Sequence, residues 1–149
     1  MTAHDGGTAG PEALAALHRA ALPGSRTWSA QEFAALCAAR GAILRSRPGQ
    51  GFALGRASAD EAELLMLAVL PDRRRQGLGR ALLGAFEADA ARRGAHIALL
   101  EVDATNAPAI ALYAGAGYVE RGRRRAYYRS PAGERADALI LGKRLFRQT

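Results

Sequence analysis

The spacing of apolar and polar residues predicts two helices in the first part of the chain. The first is expected over residues 11–22, because Leu14, Leu17 and Ala21 fall on one face at helical spacing. The second helix begins after a capping-box pattern, in which Ser29 precedes an acidic residue by three positions. Pro11 suits the first turn of the first helix, so each helix carries a start signal.

Apolar runs in the rest of the chain predict six strands and two more helices. Residues 42–46 and 51–57 flank a Pro-Gly turn, which is typical of a hairpin. The unbroken apolar run within residues 61–70 predicts a central strand that is buried on both faces. The remaining elements are helices over residues 78–93 and 106–116 and strands over residues 95–102, 118–128 and 136–145.

The order of these elements predicts the fold class. The strand over residues 61–70, the following helix and the strand over residues 95–102 form a βαβ unit, so these strands should be parallel. We expect an α/β fold of the α+β type, a mixed, mostly antiparallel sheet with one parallel pair near its middle and flanking helices. Residues 11–149 are expected to form a single domain after a disordered N-terminus over residues 1–10.

Composition favours a soluble, cytoplasmic globular protein. The 149 residues are enough to bury a core without the help of disulfides or a metal ion. The only cysteine, Cys37, excludes a disulfide framework. His4, His18 and His96 lack metal-binding spacing, so we expect them at the surface or as helix filler, and we expect no metal. No apolar run approaches the ~20 residues of a membrane span. The net charge of +7 favours an anionic partner, such as a phosphorylated cofactor or a ribosomal environment.

Residues 73–80 join the predicted central strand to the long helix and are expected to bind a pyrophosphate. Gly77 and Gly79 let the backbone approach a ligand, and the helix N-terminus offers unpaired amides and the positive end of its dipole. The segment lacks the Gly-Lys-Ser/Thr ending of a P-loop, and Leu82 stands where a dinucleotide fingerprint needs a third glycine. A tight, arginine-rich turn without a ligand is the alternative.

Three polar residues in the following elements are candidates for chemistry. Glu101 lies near the end of an apolar strand, where a carboxylate is costly unless paired or solvated. It could act as a general base or pair with an arginine. Tyr113 could protonate a departing thiolate or belong to the core. Asn106 suits the N-cap of the short helix.

Several motifs, taken together, carry a resemblance to a known family. They are Trp28-Ser29, Leu67-Ala68-Val69, Arg74-x-x-Gly77-x-Gly79, Leu100-Glu101-Val102, Asn106, Ala109-Ile110-Ala111-Leu112-Tyr113, Gly117-Tyr118, and Tyr127-Tyr128 followed by Asp137-Ala138. This set resembles the GNAT family of N-acetyltransferases, and within it the branch of RimI-type ribosomal-protein alanine N-acetyltransferases. The resemblance covers residues 28–145.

The resemblance implies acetyl-CoA as the co-substrate, lying in the V between two splayed parallel strands. Backbone groups on the central strand would hold the pantetheine and thioester, the glycine loop would hold the pyrophosphate, and the short helix would contact the coenzyme arm. The coenzyme-binding residues implied are Leu67, Ala68, Val69, Arg74, Arg75, Gln76, Gly77, Leu78, Gly79, Arg80 and Asn106.

The resemblance also implies catalytic roles and an acceptor. By position, Glu101 matches the general base of the branch and Tyr113 its general acid. The acceptor implied is the N-terminal alanine amine of the eighteenth small-subunit ribosomal protein, acetylated by direct transfer in a ternary complex. Making a chain-terminal amine neutral at pH 7.4 costs only ~0.5 kcal/mol, against ~4 kcal/mol for a lysine amine. Candidates to line the acceptor groove are Trp28, Tyr127, Tyr128 and Asp137.

Two other functions stay open at this point. A GNAT fold can acetylate lysine side chains or a small-molecule amine, and Met66 and Ala136, which depart from the branch pattern, bear on that choice. The arginines and tyrosines of residues 121–129 could instead form a ribosome- or RNA-binding surface, or a solvated strand edge. We expect a monomer that requires neither direct nucleic-acid binding nor a membrane.

Overall fold

The computed structural model describes residues 9–23, 26–129 and 133–146, and the side chains of residues 128 and 129 lie outside this description. The expected disorder of residues 1–10 therefore falls largely outside the described residues. The elements in chain order are α1 (Pro11–Ala21), α2 (Ala30–Ala38), β1 (Ala42–Arg47), β2 (Gly51–Ser58), β3 (Glu61–Val69), a short 3-10 helix (Pro71–Arg73), α3 (Leu78–Arg92), β4 (Ile97–Asp103), α4 (Ala107–Gly115), β5 (Val119–Arg129) and β6 (Arg135–Arg144). Every predicted helix and strand is present, with ends shifted by a few residues, and the 3-10 helix is an addition.

The six strands form one mixed sheet in the order β1-β2-β3-β4-β6-β5. The pair β3–β4 is parallel, and the other neighbouring pairs are antiparallel. The predicted fold class, a mostly antiparallel sheet with a parallel pair near its middle, is thereby confirmed. The parallel pair comes from the predicted βαβ unit, in which α3 connects β3 to β4.

The parallel strands are paired only at their N-terminal ends. Beyond this stretch β3 continues to Val69 and β4 to Asp103, but the two strands no longer pair with each other. They diverge and leave an open V between them. A register shift between β2 and β3 leaves Leu65 as an extra residue on β3, which is a β-bulge. The paired positions of β3 and β4 are Glu61 with Ile97, Ala62 with Ala98, and Glu63 with Leu99.

The expectation that the apolar run of β3 is buried on both faces is wrong at Leu65. Its side chain is 37% exposed, whereas Leu64 and Ala68 on the same strand are buried. The physical reason is the divergence of β4, because a strand that loses its neighbour on one side also loses the side chains that would cover it. Apolar periodicity predicts a buried strand but carries no information on where the neighbouring strand separates.

The start of α2 follows the predicted capping pattern. The Ser29 hydroxyl accepts a hydrogen bond from the Glu32 amide, and the Glu32 carboxylate accepts one from the Ser29 amide, both at 3.0 Å. The ring of Trp28 packs 6.2 Å from that of the buried Phe33, as a hydrophobic staple requires. The helix ends at Ala38, and Gly41 lies at a φ of 81° directly ahead of β1.

Two apolar clusters cover the two faces of the sheet. The cluster on the α3–α4 face contains Phe86 and Tyr113, and the cluster on the α1–α2 face contains Leu14, Phe33 and Phe52. The molecule therefore has three layers, with the sheet between two pairs of helices. Among the residues that the structure describes, no helix has the length and apolar character needed to cross a bilayer.

His18 lies within α1, as the helix-filler alternative expected, and not at the surface. It is buried at 5% exposure on the inner side of α1, and its ring meets that of Phe33 edge to face at 6.0 Å. Burial without a charged partner disfavours the protonated imidazole, so the pKa of His18 lies below its ordinary value.

Candidate active site

The open V exposes backbone groups of β3. The Leu70 amide donates to the Gln50 carbonyl at 2.9 Å, so the alternation of an antiparallel ladder turns the amides of Leu67 and Val69 away from β2. They face the side from which β4 has diverged. The backbone of Ala68 points to β2, and its side chain is buried on the α1–α2 face. An extended ligand in the V could accept hydrogen bonds from the amides of Leu67 and Val69, whereas the Val69 carbonyl is already bound to Arg74.

The N-terminus of α3 lies at the end of β3 and is uncapped. Gly77 is the N-cap residue with a φ of 80°, and no side chain caps the helix. The first helical bond runs from the Ala81 amide to the Gly77 carbonyl at 2.9 Å. Among the described residues, the amides of residues 75–80 have no recorded backbone acceptor. These amides and the helix dipole favour an anion at this end of the V.

The side chain of Arg74 does not point toward this anion site. Its Nε donates to the Val69 carbonyl at 3.0 Å, and its terminal nitrogen donates to the Ala21 carbonyl at 2.6 Å. Arg74 therefore ties the loop to the last turn of α1. The other cationic side chains of the loop, those of Arg73, Arg75 and Arg80, are exposed.

The other predicted loop residues could contribute only through their backbone. The Gln76 side-chain amide donates to the Asp72 carbonyl at 3.3 Å, which holds it within the loop. Leu78 is buried in the α3–α4 cluster, so only its amide is available. A Cβ on Gly79 would stand 3.5 Å from the Leu112 side chain, an ordinary van der Waals contact, so packing against α4 does not require a glycine here.

Glu101 lies on β4, on the α1–α2 face of the sheet. Its neighbours Leu100 and Val102 are buried on the α3–α4 face, and side chains alternate along a strand. The carboxylate is 26% exposed and forms an ion pair with Arg124 of β5 at 3.1 Å. Pairing with an arginine, one of the two alternatives for Glu101, is thus present, and its role as a general base stays a prediction.

Tyr113 lies on α4, on the opposite face from Glu101. It is 8% exposed and belongs to the α3–α4 cluster, as the core alternative expected. Burial raises the pKa of Tyr113 to about 12, so the phenol keeps its proton at neutral pH and can act as a donor. A substrate that contacts both Glu101 and Tyr113 must pass through the V, because β4 lies between them.

Asn106 is the N-cap of α4, as its residue type predicts. Its side-chain oxygen accepts a hydrogen bond from the Ala109 amide at 3.2 Å. The residue is exposed at the turn that follows β4. Its contact with a coenzyme arm stays a prediction, and the side-chain NH₂ group, which the cap does not use, would make that contact.

The four residues predicted to line an acceptor groove fall in two places. Trp28 is half-buried before α2, with the Arg26 guanidinium 3.8 Å above its ring. Tyr127 is 53% exposed on β5, with the Arg124 guanidinium 5.2 Å from its ring centre. The side chain of Tyr128 lies outside the described residues. Asp137 is on β6, opposite Tyr127.

Asp137 holds a three-residue bulge in β5. Arg124 faces Ala138 and residue 128 faces Ala136, so residues 125–127 all oppose Asp137 alone. One carboxylate oxygen of Asp137 accepts the Ala126 amide at 2.8 Å, and the other pairs with Arg123 at 2.8 Å. These bonds, the Ala126 amide first, keep the pKa of Asp137 below its ordinary value. Ala126 has a φ of 52°, and an alanine gives no sequence signal for such a conformation.

Sequence reasoning also missed a partly buried polar network beside Tyr113. The Tyr118 hydroxyl donates to the Glu87 carboxylate at 2.9 Å, and the Lys143 ammonium donates to the same carboxylate at 2.8 Å. The sequence offers one signal for this network, since Lys143 is the only lysine of the chain. Within the described part of the chain, no group of three or more His, Cys, Asp or Glu side chains could hold a metal ion.

Comparison with known proteins places these features in a family. The model of the acetyltransferase (GNAT) family matches residues 27–118. The [ribosomal protein bS18]-alanine N-acetyltransferase of Escherichia coli K12 is 48% identical over 90 residues, which is 60% of this chain and 60% of that protein. Its namesake from Haemophilus influenzae is 35% identical over 91 residues, 61% of this chain and 62% of that protein. The matched stretch thus spans less than two thirds of either relative.

Solved structures extend the likeness to nearly the whole chain. The crystal structure of the ribosomal-protein-S18-alanine N-acetyltransferase from Escherichia coli aligns with a TM-score of 0.81 and 34% identity, covering 93% of this chain and 90% of that one. Ard1 from Thermoplasma volcanium aligns with a TM-score of 0.79 and 23% identity, covering 95% and 97%, and it shares the fold.

Proposed function

The chain belongs to the acetyltransferase (GNAT) family, and we propose that it transfers the acetyl group of acetyl-CoA to the N-terminal alanine amine of ribosomal protein bS18. The observation that carries this proposal is the 34% identity and TM-score of 0.81 to a solved ribosomal-protein-S18-alanine N-acetyltransferase along 93% of the chain. The 48% identity to the Escherichia coli relative supports the same acceptor. An acceptor that belongs to the ribosome would place the enzyme in the cytoplasm.

The geometry of the V and of the α3 N-terminus fits acetyl-CoA as the co-substrate. The amides of Leu67 and Val69 face the V, where they would pair with the amides of the pantetheine arm. The uncapped amides at the start of α3 would bind the pyrophosphate, with Arg75 and Arg80 exposed beside them. Arg74 contributes by holding the loop in shape rather than by touching the phosphates.

The proposed chemistry is direct transfer within a ternary complex. The acceptor nitrogen attacks the thioester carbon and gives its proton, through water, to Glu101. The Val69 amide, which faces the V, stabilises the negative charge on the carbonyl oxygen. The carbon–sulfur bond then breaks, and the departing sulfur takes a proton from the Tyr113 phenol. Glu101 and Tyr113 lie on opposite sides of β4, so proton removal and proton delivery occur at opposite ends of the reacting group.

An N-terminal amine is the acceptor class that suits this site. Neutralising such an amine at pH 7.4 costs only ~0.5 kcal/mol, so one partly exposed carboxylate is a sufficient base. A lysine amine would cost ~4 kcal/mol and call for a stronger base. Acetylation of lysine side chains or of a small amine is the alternative within the family.

The test uses a peptide that begins with the bS18 N-terminal alanine and carries one internal lysine. Thiol release from acetyl-CoA measures turnover, and mass spectrometry locates the acetyl group. We expect acetyl on the terminal amine and no turnover when that amine is blocked. Acetyl on the lysine, or turnover only with a small amine, would contradict the acceptor while leaving the family assignment intact.

A pair of variants tests the base. Glu101→Gln should lower kcat/KM by about 10²- to 10⁴-fold, the range for loss of a general base. Glu63→Gln is the matched control, because Glu63 lies on β3 and is also paired with an arginine, Arg56, at 3.6 Å. Equal activity of the two variants between pH 6 and 9 would remove Glu101 from the mechanism.

A further inference from the structure

We propose that Arg124 is a positioning residue that holds the Glu101 carboxylate in the orientation from which it takes the proton of the acceptor amine. The inference rests on the proposed function, since it gives Arg124 a task only if Glu101 is the base. Arg124 does not touch the reacting atoms in this proposal and acts through Glu101 alone. It lies on β5, two strands away from β4 in the sheet.

The register of the three strands puts both side chains on one face. Ala138 of β6 pairs with Arg124 on one side and with Asp103 of β4 on the other, and Asp103 shares its face with Glu101. Ala138 is fully buried, so the Arg124 side chain crosses a small residue on its way to the carboxylate. A terminal nitrogen of Arg124 ends 3.1 Å from a Glu101 oxygen.

This contact contributes little to the stability of the fold. The two side chains are 53% and 26% exposed, and ion pairs in such surroundings are weak because water screens them. The contact has a larger effect on geometry. A partly exposed glutamate samples several rotamers, whereas a reacting group must be held close to one productive arrangement. Among the described residues, Arg124 is the recorded partner of the Glu101 carboxylate.

Arg124 is itself held in place from the other side. Its guanidinium lies 5.2 Å from the centre of the Tyr127 ring, within the range of a cation–π contact. Tyr127 belongs to the three-residue bulge, and Asp137 fixes that bulge through the Ala126 amide. The bulge therefore aims Tyr127 at Arg124, and Arg124 reaches Glu101.

A double-mutant cycle in steady-state kinetics tests the proposal. We expect Arg124→Gln to lower kcat about 10-fold or more, because a misplaced reacting group costs up to ~10²-fold, and to leave the KM for acetyl-CoA within about twofold. In a Glu101→Gln background the same substitution should have no further effect, because it acts only through that carboxylate. Arg124→Lys should restore part of kcat, since it keeps the charge and loses the fork geometry.

Arg121→Gln is the matched control for charge, because it removes one exposed arginine from the same strand outside the three-residue bulge. An equal fall in kcat for Arg121→Gln would overturn the proposal in favour of a general charge effect. Additive losses in the Glu101→Gln background would also overturn it, since Arg124 would then contact substrate directly. The cycle is run with whichever amine the wild-type enzyme acetylates, so a wrong acceptor in the proposed function does not affect it. Thermal unfolding of each variant shows that the fold is retained.

Discussion

The rings of Tyr113 and Tyr118 meet edge to face where α4 ends, with their centres 5.8 Å apart. Burial raises the pKa of both phenols, and the nearby Glu87 carboxylate raises that of Tyr118 further. The two residues share a cluster but differ in their partners, because the Tyr118 hydroxyl is bound to Glu87 and Lys143 binds the same carboxylate. Tyr113 is thus suited to donate a proton to a ligand, whereas the hydroxyl of Tyr118 is held in a structural hydrogen bond.

Replacing each tyrosine by phenylalanine should separate these two roles. Tyr113→Phe should lower kcat about 10²-fold through loss of the proton donor. Tyr118→Phe should cost about 1 kcal/mol of stability, because the partly buried Glu87 carboxylate loses a donor, and should leave kcat within a few-fold. Turnover and urea unfolding of both variants give the comparison. A Tyr118→Phe enzyme that is as slow as Tyr113→Phe would assign the two rings a joint role.

Alanine substitutions at two glycines of the α3 region should change the stability of the protein in opposite directions. Gly77 has a φ of 80°, so Gly77→Ala introduces strain of about 1 kcal/mol and should raise the KM for acetyl-CoA. Gly84 lies inside α3 with open space around it, so Gly84→Ala should stabilise the protein by about 0.5–1 kcal/mol without affecting KM. Urea unfolding and coenzyme titration measure both effects. An unchanged KM for Gly77→Ala would argue against a phosphate site at the start of α3.

Buried His18 should make stability depend on pH. Its pKa lies below the ordinary value of 6.5, so the unfolded chain binds a proton more readily than the folded one. The contribution of neutral His18 to the free energy of unfolding is therefore fully present above pH 6.5, and it decreases as the pH falls below that value. We expect the unfolding free energy of His18→Leu to change less between pH 7.5 and 5 than that of the wild type. His96→Gln, at an exposed position, serves as the control for the loss of a histidine.

The bulge in β5 gives a prediction for Asp137. Asp137→Asn removes the ion pair with Arg123 and weakens the bond to the Ala126 amide, so the bulge should loosen. We expect kcat to fall about 10-fold, as misplacement of Arg124 and hence of Glu101 would cause. Glu120→Gln removes the weaker carboxylate partner of Arg123, at 3.6 Å, and should have little effect. Equal kcat values for the two variants would show that the bulge does not influence catalysis.

The parts of the fold that sequence predicts correctly carry their signals locally. Ser29 and Glu32 mark the start of α2 within one turn, and Gly94 ends α3 with a φ of 99°. The strand–glycine loop–helix segment was also predictable, because it depends on local element order and on two glycines rather than on distant contacts. The V between β3 and β4 was expected only from the family resemblance, and the binding roles of its residues stay predictions.

The features that sequence does not predict depend on residues far apart in the chain. Arg74 fits a phosphate-loop pattern, yet its guanidinium binds the carbonyl of Ala21, 53 positions earlier. Ala126 has a positive φ because Asp137, 11 positions later, accepts its amide. Glu101 and Arg124 meet only because β6 inserts between β4 and β5. Such contacts follow from strand order, which local patterns do not specify.

The separation of β3 from β4 divides the sheet into two three-stranded halves, which are joined by only three pairs of residues between β3 and β4. A molecule that fills the V would supply the hydrogen bonds that the two ladders do not make with each other, and so complete the sheet. Amide hydrogen exchange would register this directly. The amides of Leu67 and Val69 should exchange quickly in the free protein and slowly when the V is filled, while that of Ala68, already bound to β2, should change little.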